Sequence, residues 1–270
     1  MGPRKEDDGS LGCLGWREGG DRLAQGLCEL GSVGHFSSGS LAMETIQHLA
    51  GRALFFKYLS LGFSPPGTIS ISDLFAGLNE AYSFLPSRHQ EGLAPVMGIE
   101  IREWPEEKDY WRLFGPGGVV SLHETEYDPL VTVRKGHELA DIAGFYTAFG
   151  FKRRDSGLEL SDHLAVELEF VGLLLLKLLY ARREGIAEAE EVTRKGIAAF
   201  LRDHLGSWIE AFAEAVDQAQ AFLAYGVLAR IVRDLVGEEC RLSGIDPIPM
   251  SGAARRGEEE VACPFVTKCG

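Results

Sequence analysis

The feature that most constrains the fold is a stripe of apolar residues that begins just after Asp162. Apolar side chains recur there at spacings of four and three, at Leu164, Leu168, Val171, Leu175 and Leu178. That spacing places them on one face of an α-helix, which has about 3.6 residues per turn. Ser161 or Asp162 is expected to cap this helix, because both residue types favour the N-cap position. The segment therefore predicts a core helix.

Helical patterns continue along most of the chain. Further helices are predicted over residues 43–63, 70–85, 93–104, 107–115, 135–150, 186–205, 207–220 and 222–237. Ser70 or Ser72 can cap the second of these, and the run Gly115-Pro-Gly-Gly ends a short one. Alternating strand patterns bounded by hairpin turns are nearly absent. These observations predict an all-α fold, a single globular bundle of about eight to ten helices.

The two ends of the chain differ from its centre. Residues 1–42 are rich in glycine, serine and charge without a sustained period, which is typical of a disordered leader or an upstream extension. The helical domain is predicted over residues 43–240, and Met43 is a candidate start. Residues 241–270 contain several Pro and Gly residues, and they predict a flexible tail that carries cysteines.

Charge and composition exclude several classes of function. Forty acidic residues against twenty-seven basic ones give a net charge of −13, which argues against nucleic acid and against an anionic membrane surface as partners. A basic peptide is an allowed partner, and solubility alone also explains the acidity. The most apolar stretch, residues 170–180, contains Lys177 and is shorter than the roughly 20 residues that span a bilayer. Five scattered cysteines and no signal peptide favour the cytoplasm.

No motif for bond-making chemistry stands out. Phosphate-loop and nucleophile-elbow patterns are absent, and His123-Glu124 does not complete a zinc-protease motif because Tyr127 stands where the second histidine is needed. Spacing alone therefore leaves the function open, and a nucleotide-binding or Cys-dependent redox protein stays an alternative. Cys240, Cys263 and Cys269 are weak candidates for a thiolate-bound metal or a redox pair, since three thiols leave a tetrahedral set incomplete. A helical structural protein without a partner is a further alternative.

Two segments are unusual in composition. Residues 110–129 combine aromatic residues with acidic ones, and residues 158–170 carry an Asp-His pair at the start of the core helix. Each has a plain structural interpretation. The aromatic residues at helical spacing can be core, Asp162 can be an N-cap followed by a partly exposed His163, and the acids between Glu124 and Asp128 can belong to a solvated loop.

Together these segments resemble a known family. The matching residues are Tyr110-Trp-Arg-Leu-Phe114, Glu124-Thr-Glu-Tyr127, residues 138–151 and Asp162-His-Leu-Ala-Val-Glu-Leu168. In this order they are similar to the TorD/DmsD-type redox-enzyme maturation chaperones, which include the nitrate-reductase assembly proteins. The resemblance covers about residues 43–237. Two departures are the loop before Glu124, which lacks the frequent Pro-x-x-Pro, and Ser161, which stands where a proline often precedes the Asp-His pair.

The resemblance implies a cytoplasmic, all-helical chaperone. Its partner would be the apo catalytic subunit of a molybdenum or tungsten oxidoreductase of the DMSO-reductase type, bound through its twin-arginine signal peptide or N-terminal segment. The chaperone would assist insertion of the molybdopterin cofactor and assembly before export. Its mechanism would be binding alone, so we expect that it is not an enzyme and has no cofactor of its own. It would be a monomer or a homodimer. Guanine nucleotide is associated with some members of the family, although no phosphate loop supports that ligand here.

The resemblance also implies a set of binding residues. An apolar wall for the peptide is expected from Tyr110, Trp111, Phe114 and Tyr127. Carboxylates that pair with the peptide's arginines are expected from Glu124, Asp162 and Glu167. His163 is expected to act as a hinge or as a pH-sensitive contact.

Overall fold

The computed structural model describes residues 45–100, 105–128, 130–151 and 160–250. The chain divides into two units, Met1–Gln47 and His48–Gly270, and the architecture below is that of the second. The α-helices of the described residues are α1 Ile46–Gly62, α2 Ile71–Ser83, α3 Ser87–Met97, α4 Glu107–Phe114, α5 Val131–Ala148, α6 Leu164–Arg183, α7 Ala187–Asp203, α8 Leu205–Gln218 and α9 Leu223–Ser243. A 3-10 helix spans Glu124–Tyr127. The predicted all-α class is confirmed, and the described ranges contain no strand.

Local signals explain several helix ends. The Ser70 hydroxyl accepts a hydrogen bond from the Asp73 backbone N–H at 3.1 Å, so of the two predicted candidates Ser70 is the N-cap of α2 and Ser72 is not. Helix α4 stops at Phe114, where Gly115 turns into extended backbone. Helix α9 ends at Gly244, whose φ of 66° is a left-handed conformation that glycine adopts at little cost.

Helix α6 forms the centre of the core. All five residues of its predicted stripe are at most 4% exposed. It packs along α7, while α8 and α9 pack against each other and against α7, and α3 packs on α9. Aromatic rings join these layers, as in the edge-to-face contact of Phe170 on α6 with Phe200 on α7, whose centroids lie 4.8 Å apart.

Several predicted boundaries were wrong. Helix α3 begins at Ser87 instead of residue 93, and α5 begins at Val131 instead of residue 135. Helix α9 does not end at Gly237 but continues to Ser243, so it contains Cys240 and extends three residues into the predicted tail. Beyond it the Met250 backbone N–H donates to the Ser207 carbonyl at 2.8 Å. Residues 1–44, 101–104 and 251–270 lie outside the described residues, and so the leader, Met43 as the start and the tail stay predictions.

A short antiparallel pairing joins the two unusual segments of the sequence. His123 and His163 form an isolated bridge. The Leu164 N–H donates to the Leu122 carbonyl at 2.8 Å, and the Glu124 N–H donates to the Asp162 carbonyl at 3.0 Å. The loop that follows α4 is thereby fixed to the start of α6. Within the described part of the chain, none of the helices combines the length and hydrophobicity that a membrane span requires.

Candidate functional site

The predicted aromatic wall lies mostly in the core. Tyr110, Phe114 and Tyr127 are 4%, 8% and 0% exposed, whereas Trp111 is 44% exposed. The Tyr110 hydroxyl donates to the Phe63 carbonyl at 3.1 Å, and the Tyr127 hydroxyl donates to the Ser121 carbonyl at 2.9 Å. The expectation of an open wall is corrected for these three residues, because their rings are packed in the core and the hydroxyls of Tyr110 and Tyr127 are hydrogen-bonded inside the protein. Trp111 alone among the four is accessible.

Asp162 is the polar anchor between the loop and α6. Its side chain is fully buried, and one carboxylate oxygen accepts hydrogen bonds from the Thr125 hydroxyl at 2.6 Å and the Thr125 N–H at 3.3 Å. The other oxygen lies 3.0 Å from His123 Nδ1. Burial opposes ionisation of Asp162, but the hydrogen bonds from His123 and Thr125 outweigh it and lower the pKa of this carboxyl below its ordinary value.

His163, not Asp162, caps helix α6. The Nδ1 atom of His163 accepts a hydrogen bond from the Ala165 N–H at 3.2 Å, which makes His163 the N-cap residue. The prediction of Ser161 or Asp162 as the cap was wrong, and the Asp162 carboxylate turns toward Thr125 instead of the helix. The predicted partial exposure of His163 was also wrong, since it is 6% exposed and its ring contacts that of His123 with centroids 5.1 Å apart.

Two glutamates share a buried site beside Asp162. Glu124 and Glu167 are both fully buried, so the solvated-loop interpretation of residues 124–128 was wrong. Trp208 Nε1 donates to Glu167 at 3.2 Å, and His204 Nδ1 lies 3.1 Å from Glu124 Oε1. Burial and the neighbouring Glu124 carboxylate raise the pKa of Glu167 well above its ordinary value. Burial also raises the pKa of Glu124, although the His204 hydrogen bond opposes that rise.

The raised pKa of Glu167 favours the protonated form of this buried carboxylic acid. A neutral Glu167 can donate its proton to Glu124, with which it is hydrogen-bonded. Glu124 Oε2 and Glu167 Oε1 receive no hydrogen bond from any other donor among the described residues. A proton shared between the two side chains supplies a hydrogen bond for both oxygens. With one proton shared, the pair carries a single negative charge, which His204 Nδ1 faces at Glu124.

Sequence reasoning missed His204 as a member of this cluster. His204 lies at the break between α7 and α8, and its side chain is 1% exposed. The available signal was its position four residues after Phe200 and four before Trp208, which makes it a polar residue on an otherwise apolar face. Thr125 and His123 were missed as partners of Asp162 because nothing local in the sequence pairs them.

This cluster contains acids and imidazoles whose hydrogen bonds are directed inward. Glu124, Asp162 and Glu167 have no exposed surface, so an arginine can reach them only if the loop moves away from α6. Contact between these residues and a client peptide therefore stays a prediction. The arrangement as described fixes the loop to the helix core.

Of the three predicted thiol ligands, only Cys240 lies among the described residues. Cys240 is buried within α9, and burial together with the Glu239 carboxylate raises the pKa of its thiol to about 11. The thiol is therefore neutral at physiological pH, which disfavours metal binding by this sulfur. Cys263 and Cys269 lie outside the described residues, so a metal or redox role for them stays a prediction.

An apolar groove is open on another face of the protein. It measures about 510 Å³ and lies between the ends of α5 and α6 and the start of α7. Three large apolar side chains in it are strongly exposed, Tyr180 at 60%, Ile186 at 44% and Val192 at 54%. The remaining lining residues are Ala148, Phe149, Leu176, Lys177, Ala181, Ala189 and Thr193. The groove was not predicted, because no single segment of the sequence forms it.

Comparison with known proteins identifies the family. Residues 105–214 match the family model described as nitrate reductase delta subunit. The chain is 33% identical over 141 residues to the selenate reductase assembly chaperone protein of Thauera selenatis, which covers 49% of this chain and 71% of the relative. It is 30% identical over 138 residues to the chlorate reductase assembly chaperone protein of Ideonella dechloratans, covering 49% and 66% of the two chains.

A third relative carries the family name itself. The chaperone protein TorD of Photobacterium profundum is 35% identical over 77 residues, which cover 28% of this chain and 34% of that protein. The family model includes both motif segments and the groove, since residues 105–214 contain α4 to the first part of α8. The chain therefore belongs to the TorD-type family of reductase assembly chaperones.

Proposed function

We propose that this chain is a dedicated cytoplasmic chaperone for the catalytic subunit of a molybdenum or tungsten oxidoreductase of the DMSO-reductase type. It binds the apo subunit, assists insertion of the molybdopterin cofactor and delays export until assembly is complete. Membership of the family supports the chaperone role, as do relatives named for assembly of selenate and chlorate reductases. The activity is binding and requires no bond-making step.

The bound element is the client's twin-arginine signal peptide or N-terminal segment. The observation that carries this proposal is the groove formed by α5, α6 and α7, with Tyr180, Ile186 and Val192 exposed in it. Clustered exposed apolar side chains on an acidic protein mark an interaction surface, because their burial by a partner is favourable. A signal peptide has an apolar stretch, which can lie in such a groove as an amphipathic or extended segment.

Acidic residues beside the groove supply the attraction for the arginines. Glu188 and Glu191 are exposed in the first turns of α7 and flank the lining residues Ala189 and Val192. An arginine of the peptide can form charge-assisted hydrogen bonds to these carboxylates without opening the core. Added salt is then expected to weaken binding, because exposed ion pairs are screened.

The client is identified by capture from the native host. A tagged full-length chain is expressed there, and the proteins that co-purify are identified by mass spectrometry. We expect a catalytic subunit of a molybdopterin oxidoreductase to be enriched over an untagged control. Capture of no such subunit, under conditions in which the reductase is expressed, would contradict the proposal.

The groove is tested with a matched pair of valine variants. Calorimetry uses the full chain and a synthetic peptide that corresponds to the N-terminal segment of the captured subunit. Val192→Ser removes an apolar contact in the groove, and Val133→Ser removes an exposed valine on α5 outside it. We expect Val192→Ser to weaken binding about tenfold, the equivalent of burying one valine, and Val133→Ser to leave it unchanged. Equal affinities of the two variants would refute binding in the groove.

The buried carboxylates are tested with the same peptide. If Glu124 and Asp162 contact the arginines, Glu124→Ala and Asp162→Ala weaken binding, while Glu188→Gln has little effect. If the exposed carboxylates make the contacts, Glu188→Gln weakens binding and the change is smaller at high salt. Unchanged affinity in both alanine variants would reject the buried residues as peptide contacts.

A further inference from the structure

The groove between α5, α6 and α7 is not covered by any described part of the chain. Tyr180, Ile186 and Val192 are 60%, 44% and 54% exposed in it. Lys177 also lines the groove, is exposed and has no ion pair among the described residues. Covering the apolar side chains is favourable, because their surface is then removed from water. A suitable segment that is tethered close to the groove can therefore occupy it.

A stretch of the same chain has the composition to fill the groove. Residues 261–266 read Val-Ala-Cys-Pro-Phe-Val and carry no charge, and residues 258–260 directly before them are three glutamates. Pro264 disfavours a helix, so the stretch is expected to be extended. Arg255 and Arg256 come earlier in the tail. The tail thus combines an arginine pair with an apolar stretch, as the proposed signal peptide does.

The tail starts close enough to reach the groove. The Met250 N–H donates to the Ser207 carbonyl at 2.8 Å, so the tail begins beside the first turn of α8. Val192 lies eleven residues before Asp203, the last residue of α7, which is about 17 Å along the helix. The ten residues 251–260 precede the apolar stretch and span about 33 Å when extended. The stretch can therefore enter the groove with length to spare.

The charges of the tail match the groove in the order in which the chain arrives. Helices α6 and α7 are joined by residues 184–186 and run antiparallel, so Lys177 lies at the end of the groove nearer the junction of α7 and α8. The tail comes from that junction, and its glutamates precede its apolar residues. A carboxylate can therefore pair with Lys177 while the apolar residues lie further along, toward Ile186.

We propose that residues 261–266 occupy the groove of their own chain, with residues 258–260 beside Lys177. The consequence for binding rests on the proposed function of the groove, since the tail then competes with the client peptide. A contact of about millimolar affinity, at the millimolar effective concentration of a short tether, fills the groove for about half of the time or somewhat more. Releasing the tail is therefore expected to strengthen peptide binding about two- to threefold.

Occupancy of the groove is measured on the full, reduced chain without a client. Cys263 lies inside the apolar stretch, and Cys269 lies outside it and serves as the internal reference. Iodoacetamide labels both thiols, and mass spectrometry assigns the label within the peptide of residues 261–270. We expect the ratio of the Cys263 rate to the Cys269 rate to be about two- to threefold lower in the native chain than in urea, because only the released tail exposes Cys263.

Matched variants identify the groove as the place of protection. Val192→Ser is expected to raise the Cys263 rate, and Val133→Ser, outside the groove, is expected to leave it unchanged. Lys177→Gln is expected to raise it as well, whereas Lys195→Gln removes an exposed lysine of α7 outside the lining and is the control. An unprotected Cys263 in the wild type, or equal Cys263 rates in the two valine variants, would overturn the proposal. Protection that falls on dilution would assign the tail to a second copy and overturn it too.

Calorimetry with the client peptide tests the competition. Phe265→Ser removes the largest side chain of the stretch and is expected to strengthen binding by the factor by which Cys263 is protected, whereas Thr267→Ser, one residue past the stretch, is the control. Val192→Ser also loosens the tail, so its effect on the peptide is compared in the Phe265→Ser chain. An unprotected Cys263, with weaker peptide binding in Val192→Ser, would reject the tail and keep the groove. A protected Cys263, with peptide affinity unaffected by Val192→Ser, would keep the tail in the groove and reject the groove as the client site.

Discussion

Replacing Asp162 by alanine is expected to destabilise the protein severely. The side chain is fully buried and accepts three hydrogen bonds, from the Thr125 hydroxyl at 2.6 Å, the Thr125 N–H at 3.3 Å and His123 Nδ1 at 3.0 Å. A hydrogen bond to a charged group contributes about 1.5–3 kcal/mol, and a buried group left without its partner costs about 1–3 kcal/mol. His123 is partly exposed, so in the variant water can replace the hydrogen bond that His123 makes to Asp162, which reduces the cost of losing it.

Because contributions within one hydrogen-bond network are not additive, we expect a loss of about 3–5 kcal/mol for Asp162→Ala, the cost of breaking a buried ion pair. Urea denaturation at pH 7 measures it, followed by circular dichroism. The melting temperature is expected to fall by on the order of 10 °C. Asp217→Ala, which removes an exposed aspartate of α8, is the control and is expected to change stability by less than about 0.5 kcal/mol.

The stability lost in Asp162→Ala depends on pH. The pKa of Asp162 is lowered in the folded chain, so its contribution is complete above the unfolded value of 3.8 and is lost as the pH falls through the folded value. The stability difference between wild type and Asp162→Ala is therefore expected to narrow under acid. A difference below about 1 kcal/mol at pH 7 would refute the anchoring role, and so would a difference that grows as the pH falls.

Three further changes test the core and the buried acids. Gly51→Ala is expected to cost about 1–3 kcal/mol in urea denaturation, because the new Cβ would lie 2.7 Å from the Phe84 carbonyl oxygen, whereas Gly92→Ala on α3 has open space and is expected to gain about 0.5–1 kcal/mol. The pKa of Glu167 is raised in the folded chain by burial and by the Glu124 carboxylate, so the stabilising contribution of its proton falls as the pH rises above the ordinary value of 4.5. The free energy of unfolding of Glu167→Gln, measured relative to the wild type, is therefore expected to be higher at pH 8 than at pH 5. The same difference at both pH values would contradict the raised pKa of Glu167. Cys240, with a thiol pKa of about 11, is expected to react with iodoacetamide at pH 8 more than tenfold more slowly in the native chain than in urea, measured on its peptide by mass spectrometry.

Sequence periodicity predicted the helices well because the core signal is local. The stripe on α6 is read from residues three and four apart, and its burial follows from that spacing alone. Helix ends were less predictable. Gly237 suggested the end of α9. One glycine inside a helix costs only about 1 kcal/mol relative to alanine, and the burial of Glu239 and Cys240 stabilises the helix beyond it.

The candidate site could be predicted only in part. Its segments were identified, and the structure brings them together through the pairing of residues 122–124 with 162–164. The direction of each side chain was not predictable, because it depends on partners far along the chain. Glu124 contacts His204, eighty residues away, and Glu167 contacts Trp208, forty-one residues away. No local pattern in the sequence predicts such pairs. Glu124, Asp162 and Glu167 were therefore predicted to be accessible ligands for arginine, although they are buried.

The motif residues are buried, so the stability of the fold constrains them, whereas it constrains the exposed groove residues little. A change at Asp162 or Glu124 strands a buried polar partner and costs several kcal/mol, so these positions tolerate little variation whatever the client is. A change at Ile186 or Val192 affects a side chain that is already half exposed, so it costs little stability. The groove can therefore change without disturbing the framework beneath it. The buried motif residues maintain the scaffold, and we expect the exposed faces of α6 and α7 to determine which peptide binds if the proposed groove is the binding site.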